Sequence, residues 1–313
     1  MKIFRFLCML MIVVASSCNK DDVITVTFDD DYYRAATEES KAEFSKVFEY
    51  TPAPGQFIGE TKTGGFSGEE LTSADAVSYA FGRLTDRKFV SLGGFGGYVV
   101  VGFDHSIDNS VGYDIAIGGN AFNGSSEPGV VWVMQDENGD GEPNDTWYEL
   151  QGSESSSATT LHNYSITYYR PTAAGQPVKW SDSEGEEGEI DYLAAYHKQE
   201  SYYPQWIKED SYTLSGTRLE ARNYDSSGNG TMWIQPAYDW GYADNFSDED
   251  HTLEGGNMNL FDIANAIDSE GRAKELKYID FVKVQSAVNA KSGWLGEIST
   301  EVTGFYDYRL KIK

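Results

Sequence analysis

"YVVVGF", residues 98–103, sets the pattern that decides the fold of this chain. Similar runs, rich in β-branched and aromatic residues, occur at 23–33, 113–119, 129–135, 164–170, 210–224, 276–286 and 299–310. Gly, Asn, Asp and Pro separate them, which is typical of short strands joined by turns. One segment, "SADAVSYAFGRLTDR" (73–87), has helical periodicity, with Ser73 as the expected cap. Many strands with one or two short helices predict an all-β antiparallel sandwich or barrel.

The N-terminal residues predict export and lipidation. Lys2 and Arg5 precede the apolar run 6–14, and Ala15-Ser16-Ser17 then stands directly before Cys18. The apolar run is too short for a spanning helix, so residues 1–17 are predicted to be a lipoprotein signal peptide with Cys18 as the lipidated residue. An ordinary signal peptide is the alternative. Residues 18–40 are predicted to be an acidic tether, and 41–313 a single elaborated β-sandwich domain.

The charge balance excludes some classes of partner. The chain has 24 basic and 50 acidic residues, a formal net charge of −26. Phosphate neutralisation requires clustered Lys and Arg, so no nucleic-acid partner is expected. Membrane contact is expected only through the lipid anchor.

The loop "QDENGDGEPNDTW" (135–147) is the strongest candidate metal site in the sequence. Asp136, Asn138 and Asp140 alternate, and the glycine at position 141 permits a sharp turn, as in calcium loops. Glu142 and Asp145 would add oxygens. The twelfth position is a tryptophan rather than a bidentate Glu, so the loop is not an EF-hand. The alternative is an Asx-rich turn that satisfies its own polar groups.

Aromatic residues in turn-rich segments form the candidate ligand site. Trp206, Trp240 and Tyr242, with Asn245 beside them, are difficult to bury completely if their segments are loops. Exposed rings can stack on a sugar or a flat macrocycle while polar groups fix its orientation. Structural packing is the alternative.

The chain lacks the usual sequence motifs of catalysis. It has no Gly-x-Ser-x-Gly, His-Glu-x-x-His or P-loop pattern, and the four histidines lack metal-ligand spacing. We therefore expect no enzymatic activity. Glycoside hydrolysis by two carboxylates is the remaining catalytic alternative.

Three segments together resemble a known family: "VSLGGFGGYVVVGFDHSIDN" (90–109), "YDIAIGGNAF" (113–122) and "SEPGVVWVMQDENGDGEPNDTWYEL" (126–150). They are similar to a jelly-roll domain of secreted bacterial proteins, and with "WGYADNF" and "NAKSGWLGE" to a Bacteroidetes group of cell-surface lipoproteins. The resemblance implies a jelly-roll-like β-sandwich and a second calcium site at Asp104, Asn120 and Glu127. Gly119 departs from the wider family, which often has Glu at that position.

The expected function combines these observations. It is a surface-exposed, calcium-binding lipoprotein of the outer membrane that captures a small molecule or glycan for an outer-membrane uptake system. The resemblance implies a corrinoid (vitamin B12) as one ligand class, and analogy with carbohydrate-binding modules implies a glycan. The alternative is a structural or adhesive surface protein that binds another protein.

Overall fold

β-Strands connected by turns and loops dominate the computed structural model, which describes residues 32–60 and 70–313. In chain order the strands are β1 (Lys46–Thr51), β2 (Val90–Ser91), β3 (Tyr98–Asp108), β4 (Ile115–Gly118), β5 (Gly129–Met134), β6 (Trp147–Leu150), β7 (Leu161–Tyr169), β8 (Val178–Asp182), β9 (Glu187–Ile190), β10 (Ser211–Arg218), β11 (Tyr224–Asp225), β12 (Trp233–Ile234), β13 (His251–Thr252), β14 (Met258–Phe261), β15 (Ala266–Ile267), β16 (Tyr278–Ser286), β17 (Glu301–Val302) and β18 (Gly304–Asp307). Within the described ranges the helices are α1 (Ser73–Thr85) and α2 (Tyr308–Lys311), and short 3-10 turns occur at Ile263–Asn265 and Gly293–Leu295.

Two antiparallel sheets enclose the main core. One has the order β1-β3-β16-β5-β6-β15, and the other β13-β14-β4-β18. Strand alternation turns Val101 and Val282 of the first sheet toward Ile117 and Phe305 of the second, and all four lie in one buried cluster. This packing confirms the predicted all-β sandwich.

A third antiparallel sheet, ordered β10-β7-β8-β9, has its own buried cluster, which includes Phe95 and Tyr168. Gln285 of β16 joins it to the main sandwich, because its Nε2 donates to the carbonyl oxygens of Gly96 and Ser215, each at 2.9 Å. The amide therefore fixes β10 beside the six-stranded sheet.

Helix α1 forms where the periodicity predicts it, with Ala76, Ala80 and Leu84 buried. Its cap is Thr72 rather than the predicted Ser73. Thr72 accepts from the Asp75 N–H, and the Asp75 carboxylate accepts from the Thr72 N–H, a reciprocal capping box.

The N-terminal boundary of the folded body lies earlier than predicted. Residues Tyr32–Lys313 form one compact unit. Within the predicted tether, Arg34 pairs with buried Asp280 at 3.0 Å and donates to the Phe103 carbonyl oxygen. Residues 32–40 thus belong to the domain and not to a free tether. Cys18 and the signal segment lie outside the described residues, among which no helix is long and apolar enough to cross a membrane.

Candidate functional site

Three carboxylates converge in the interior of the domain. Glu127, Asp244 and Glu301 each offer an oxygen, and these oxygens lie within 4.8 Å of one another. Asp244 and Glu301 are buried, and Glu127 is partly buried. Among the described residues, this is the one such group of acidic, His or Cys side chains close enough to share a metal ion.

Main-chain hydrogen bonds hold the cluster in place. The Asp244 carboxylate accepts from the backbone N–H groups of Asn120 and Glu301, both at 2.9 Å. The Asp244 carbonyl oxygen accepts from the Glu127 N–H, also at 2.9 Å. Asp244 has a φ of 53°, in the left-handed region that a non-glycine residue rarely adopts. The backbone thus turns sharply at Asp244, the residue that is hydrogen-bonded to the main chain of both Glu127 and Glu301.

Side-chain contacts complete the cluster. Ser299 donates to Glu301 at 2.9 Å, and the Gln235 amide donates to Glu127 at 3.2 Å. The carboxyl groups of Glu127 and Glu301 also contact each other, and this contact raises the pKa of Glu301. A hydrogen bond between two carboxyl groups requires that one of them is protonated.

Burial is the main reason why these acids resist ionisation. It raises the pKa of Glu127 to about 8, with Coulomb repulsion from Asp244 adding to the effect. Burial also raises the pKa of Asp244 and of Glu301 well above the usual range for carboxyl groups, again with repulsion from acidic neighbours. Among the described residues no Lys, Arg or His forms an ion pair with any of the three.

The cluster also explains the glycine at position 119. A Cβ there would lie 2.7 Å from Asp244 Oδ1 and 3.1 Å from Asp244 Cα. A larger side chain would displace Asp244, so Gly119 makes room for a carboxylate from elsewhere in the chain.

The second predicted calcium set is only partly brought together. Glu127 belongs to the cluster, whereas Asn120 contributes a backbone N–H to Asp244. Asp104 lies apart on β3, where its exposed carboxylate contacts His105 at 2.7 Å. Sequence reasoning missed Asp244 and Glu301, since neither lies in a recognisable ligand motif.

The acidic loop folds as a tight turn around Asp136. The carboxylate of this buried residue accepts from the N–H groups of Gly139 at 2.7 Å and Gly141 at 3.0 Å. The Asp140 carboxylate accepts from the side chain of Asn144 and the N–H of Glu142, and these bonds lower its pKa.

The other predicted ligands of this loop are also hydrogen-bonded. Asn138 accepts from the Asp140 N–H at 2.8 Å, and Asp145 accepts from the Glu137 N–H at 2.9 Å. Glu142 pairs with Lys46 at 3.4 Å. The loop therefore satisfies its own polar groups, as the Asx-turn alternative predicts, and it also has the sharp glycine turn of calcium loops.

The predicted aromatic platform is not assembled at the surface. Trp206 is 8% exposed and packs against Tyr50 in the main core, while Tyr242 is 1% exposed and accepts from the Glu154 N–H. Asn245 is fully buried, bonded to the backbone N–H and carbonyl of Tyr238. The exposed-platform prediction is wrong for these three, because neighbouring segments cover their turns.

Trp240 is the one predicted ligand residue that keeps partial exposure. It lines a cavity of about 270 Å³ together with Tyr113 and Gln151. Of the four residues predicted to bind a ligand, Trp240 is therefore the one that remains accessible to it.

Comparison with models of protein families found no match, and a search of curated proteins found no significant match. Function is therefore argued from the site.

Proposed function

We propose that this protein is a surface-exposed, calcium-binding lipoprotein that captures a small molecule or glycan for an outer-membrane uptake system. The observation that carries the calcium part is the convergence of Glu127, Asp244 and Glu301 within 4.8 Å. The lipoprotein part rests on Cys18 and the sequence before it.

Calcium suits the chemistry of the cluster. It is a hard cation that takes six to eight oxygen ligands, and carboxylates supply such ligands singly or in pairs. A divalent cation would take the place of protons on these buried acids, and it would offset the repulsion of three buried negative charges. The hydroxyl of Ser299 is a further oxygen beside the cluster.

The acidic loop supports a second, more exposed calcium site. The glycine at position 141 has a φ of 73°, and its N–H reaches back to the carboxylate of Asp136. This bond closes a sharp glycine turn of the kind that calcium loops require. Asp136, Asn138 and Asp140 would be the first ligands there.

The capture part rests on the cavity that Trp240 lines. An aromatic ring in a cavity wall offers a stacking surface for a sugar or a corrinoid ring. The exposed acidic surface does not favour polyanionic ligands.

Calorimetric titration of the full-length chain in detergent with calcium tests the first part. We expect saturable binding that Glu301→Gln weakens at least about tenfold, since a buried ligand is removed without changing its size. Asp140→Asn should affect only the exposed site. Glu254→Gln, in an exposed loop after β13, is the matched control and should change nothing.

Titration with cyanocobalamin and a glycan panel, with and without calcium, tests the second part. Absence of calcium binding by the wild-type chain would overturn the calcium assignment. Calcium binding without heat from any of these ligands would overturn capture and favour a protein partner.

A further inference from the structure

A second cavity, of about 210 Å³, lies between the β8–β9 hairpin and the segment 289–297. Trp180 faces Gly188 across the hairpin, and a Cβ at position 188 would lie 2.4 Å from the indole. The glycine therefore lets the ring lie close against the strand. With Ile190 and Ala290, the indole gives the cavity an apolar wall.

One buried carboxylate at this cavity is incompletely satisfied. Glu297 lines the cavity and is 4% exposed. Its Oε1 accepts from the Gln56 N–H at 2.8 Å, but its buried Oε2 has no hydrogen-bond partner among the described residues. A buried acceptor without a donor is unfavourable and therefore rare in folded proteins.

The cavity also has more acidic than basic groups. Glu189, Asp191 and Glu297 line it, against a single basic residue, Lys291. Lys291 already pairs with Asp191 at 2.7 Å, and both side chains are partly exposed. Its positive charge is thus held toward solvent, and among the described residues no basic side chain forms an ion pair with Glu297.

We infer that this cavity binds the cationic amine of a small ligand that has an apolar ring. The ammonium group donates to Glu297 Oε2, and the ring packs against Trp180 and Ile190. A metal ion fits less well, because it requires several oxygens and Glu297 supplies the one unpartnered oxygen found here. This inference goes beyond the proposed capture at the Trp240 cavity, because it assigns a ligand class to a second cavity.

Benzylamine and benzyl alcohol are the probes, because they have nearly the same size and differ in charge. Calorimetric titration of the full-length chain should show one benzylamine bound, with benzyl alcohol at least about tenfold weaker. Glu297→Gln keeps the acceptor for the Gln56 N–H and removes the charge. The Glu297→Gln variant should bind benzylamine only as tightly as benzyl alcohol, whereas Glu254→Gln should leave the benzylamine affinity unchanged.

Equal affinity for the two probes, or benzylamine binding that survives Glu297→Gln, would overturn the inference. If Glu297→Gln does not fold, fluorescence of Trp180→Phe against wild type gives a second test, since benzylamine should perturb the emission only when Trp180 is present. A calcium titration of the same sample separates the two proposals. Calcium binding without benzylamine binding removes this inference alone, and the reverse result removes the calcium assignment.

Discussion

The calcium-free protein should lose stability as the pH rises, because Glu127 binds its proton more tightly when the chain is folded. The pKa of Glu127 is about 8 in the folded state, against an ordinary value of 4.5. The proton therefore contributes its full stabilisation below about pH 4.5, and this is lost as the pH rises through about 8. At about 1.4 kcal/mol per pKa unit, the loss in the free energy of unfolding is about 3–5 kcal/mol.

The assay is urea unfolding in chelator at a series of pH values between 5 and 8, for wild type and Glu127→Gln. Glutamine keeps the size of the side chain and cannot ionise, so the variant should lose about 3–5 kcal/mol less than wild type across this range. Burial raises the pKa of Asp114 to about 6. Its titration changes the free energy of unfolding in the same direction in both proteins and therefore cancels in the difference. Calcium should flatten the wild-type profile. Equal pH dependence in the two proteins would show that the reasoning about Glu127 is wrong.

Three further substitutions test the packing of the domain. Gly119→Ala should destabilise the fold by about 1–3 kcal/mol in urea unfolding, since its Cβ would lie 2.7 Å from Asp244 Oδ1. Gly82→Ala in α1, where a Cβ meets nothing within 4 Å, should instead stabilise by about 0.5–1 kcal/mol, and a loss of the same size there would contradict the reasoning. Tyr242→Phe should cost about 1 kcal/mol by removing the acceptor for the Glu154 N–H, and should leave ligand affinity unchanged. A loss of affinity without a loss of stability would return Tyr242 to the binding site.

The sandwich was predictable from sequence because its signals are local. The runs of β-branched and aromatic residues in β3 and β16 predict buried strands whatever the rest of the chain does, and Val101 and Val282 lie in the resulting core. The helix was predictable for the same reason, and its cap was misplaced by one residue, since Thr72 and Ser73 are both good caps and only Thr72 has Asp75 three residues later.

Burial of the aromatic residues was not predictable, because it depends on contacts between segments distant in sequence. Tyr242 follows Gly241, and a Cβ at that glycine would lie 2.4 Å from the Cα of Gly152. Gly152 and Gly241 therefore allow the two backbone segments to approach closely. The segments then enclose the Tyr242 ring, which a turn-rich sequence would otherwise leave exposed.

The acids of the loop and those of the cluster differ in how readily they ionise, and this difference depends on burial that the sequence does not reveal. In the acidic loop, hydrogen bonds from Asn144 and the Glu142 N–H lower the pKa of Asp140, so that carboxylate is ionised without a cation. In the cluster, burial raises the pKa of Glu127 and Glu301, so ionisation there requires a compensating charge. Calcium at the cluster must therefore displace protons, whereas calcium at the loop does not. Proton release measured during a calcium titration near neutral pH should consequently decrease in Glu127→Gln, where Asp244 and Glu301 still hold protons, and should persist in full in Asp140→Asn.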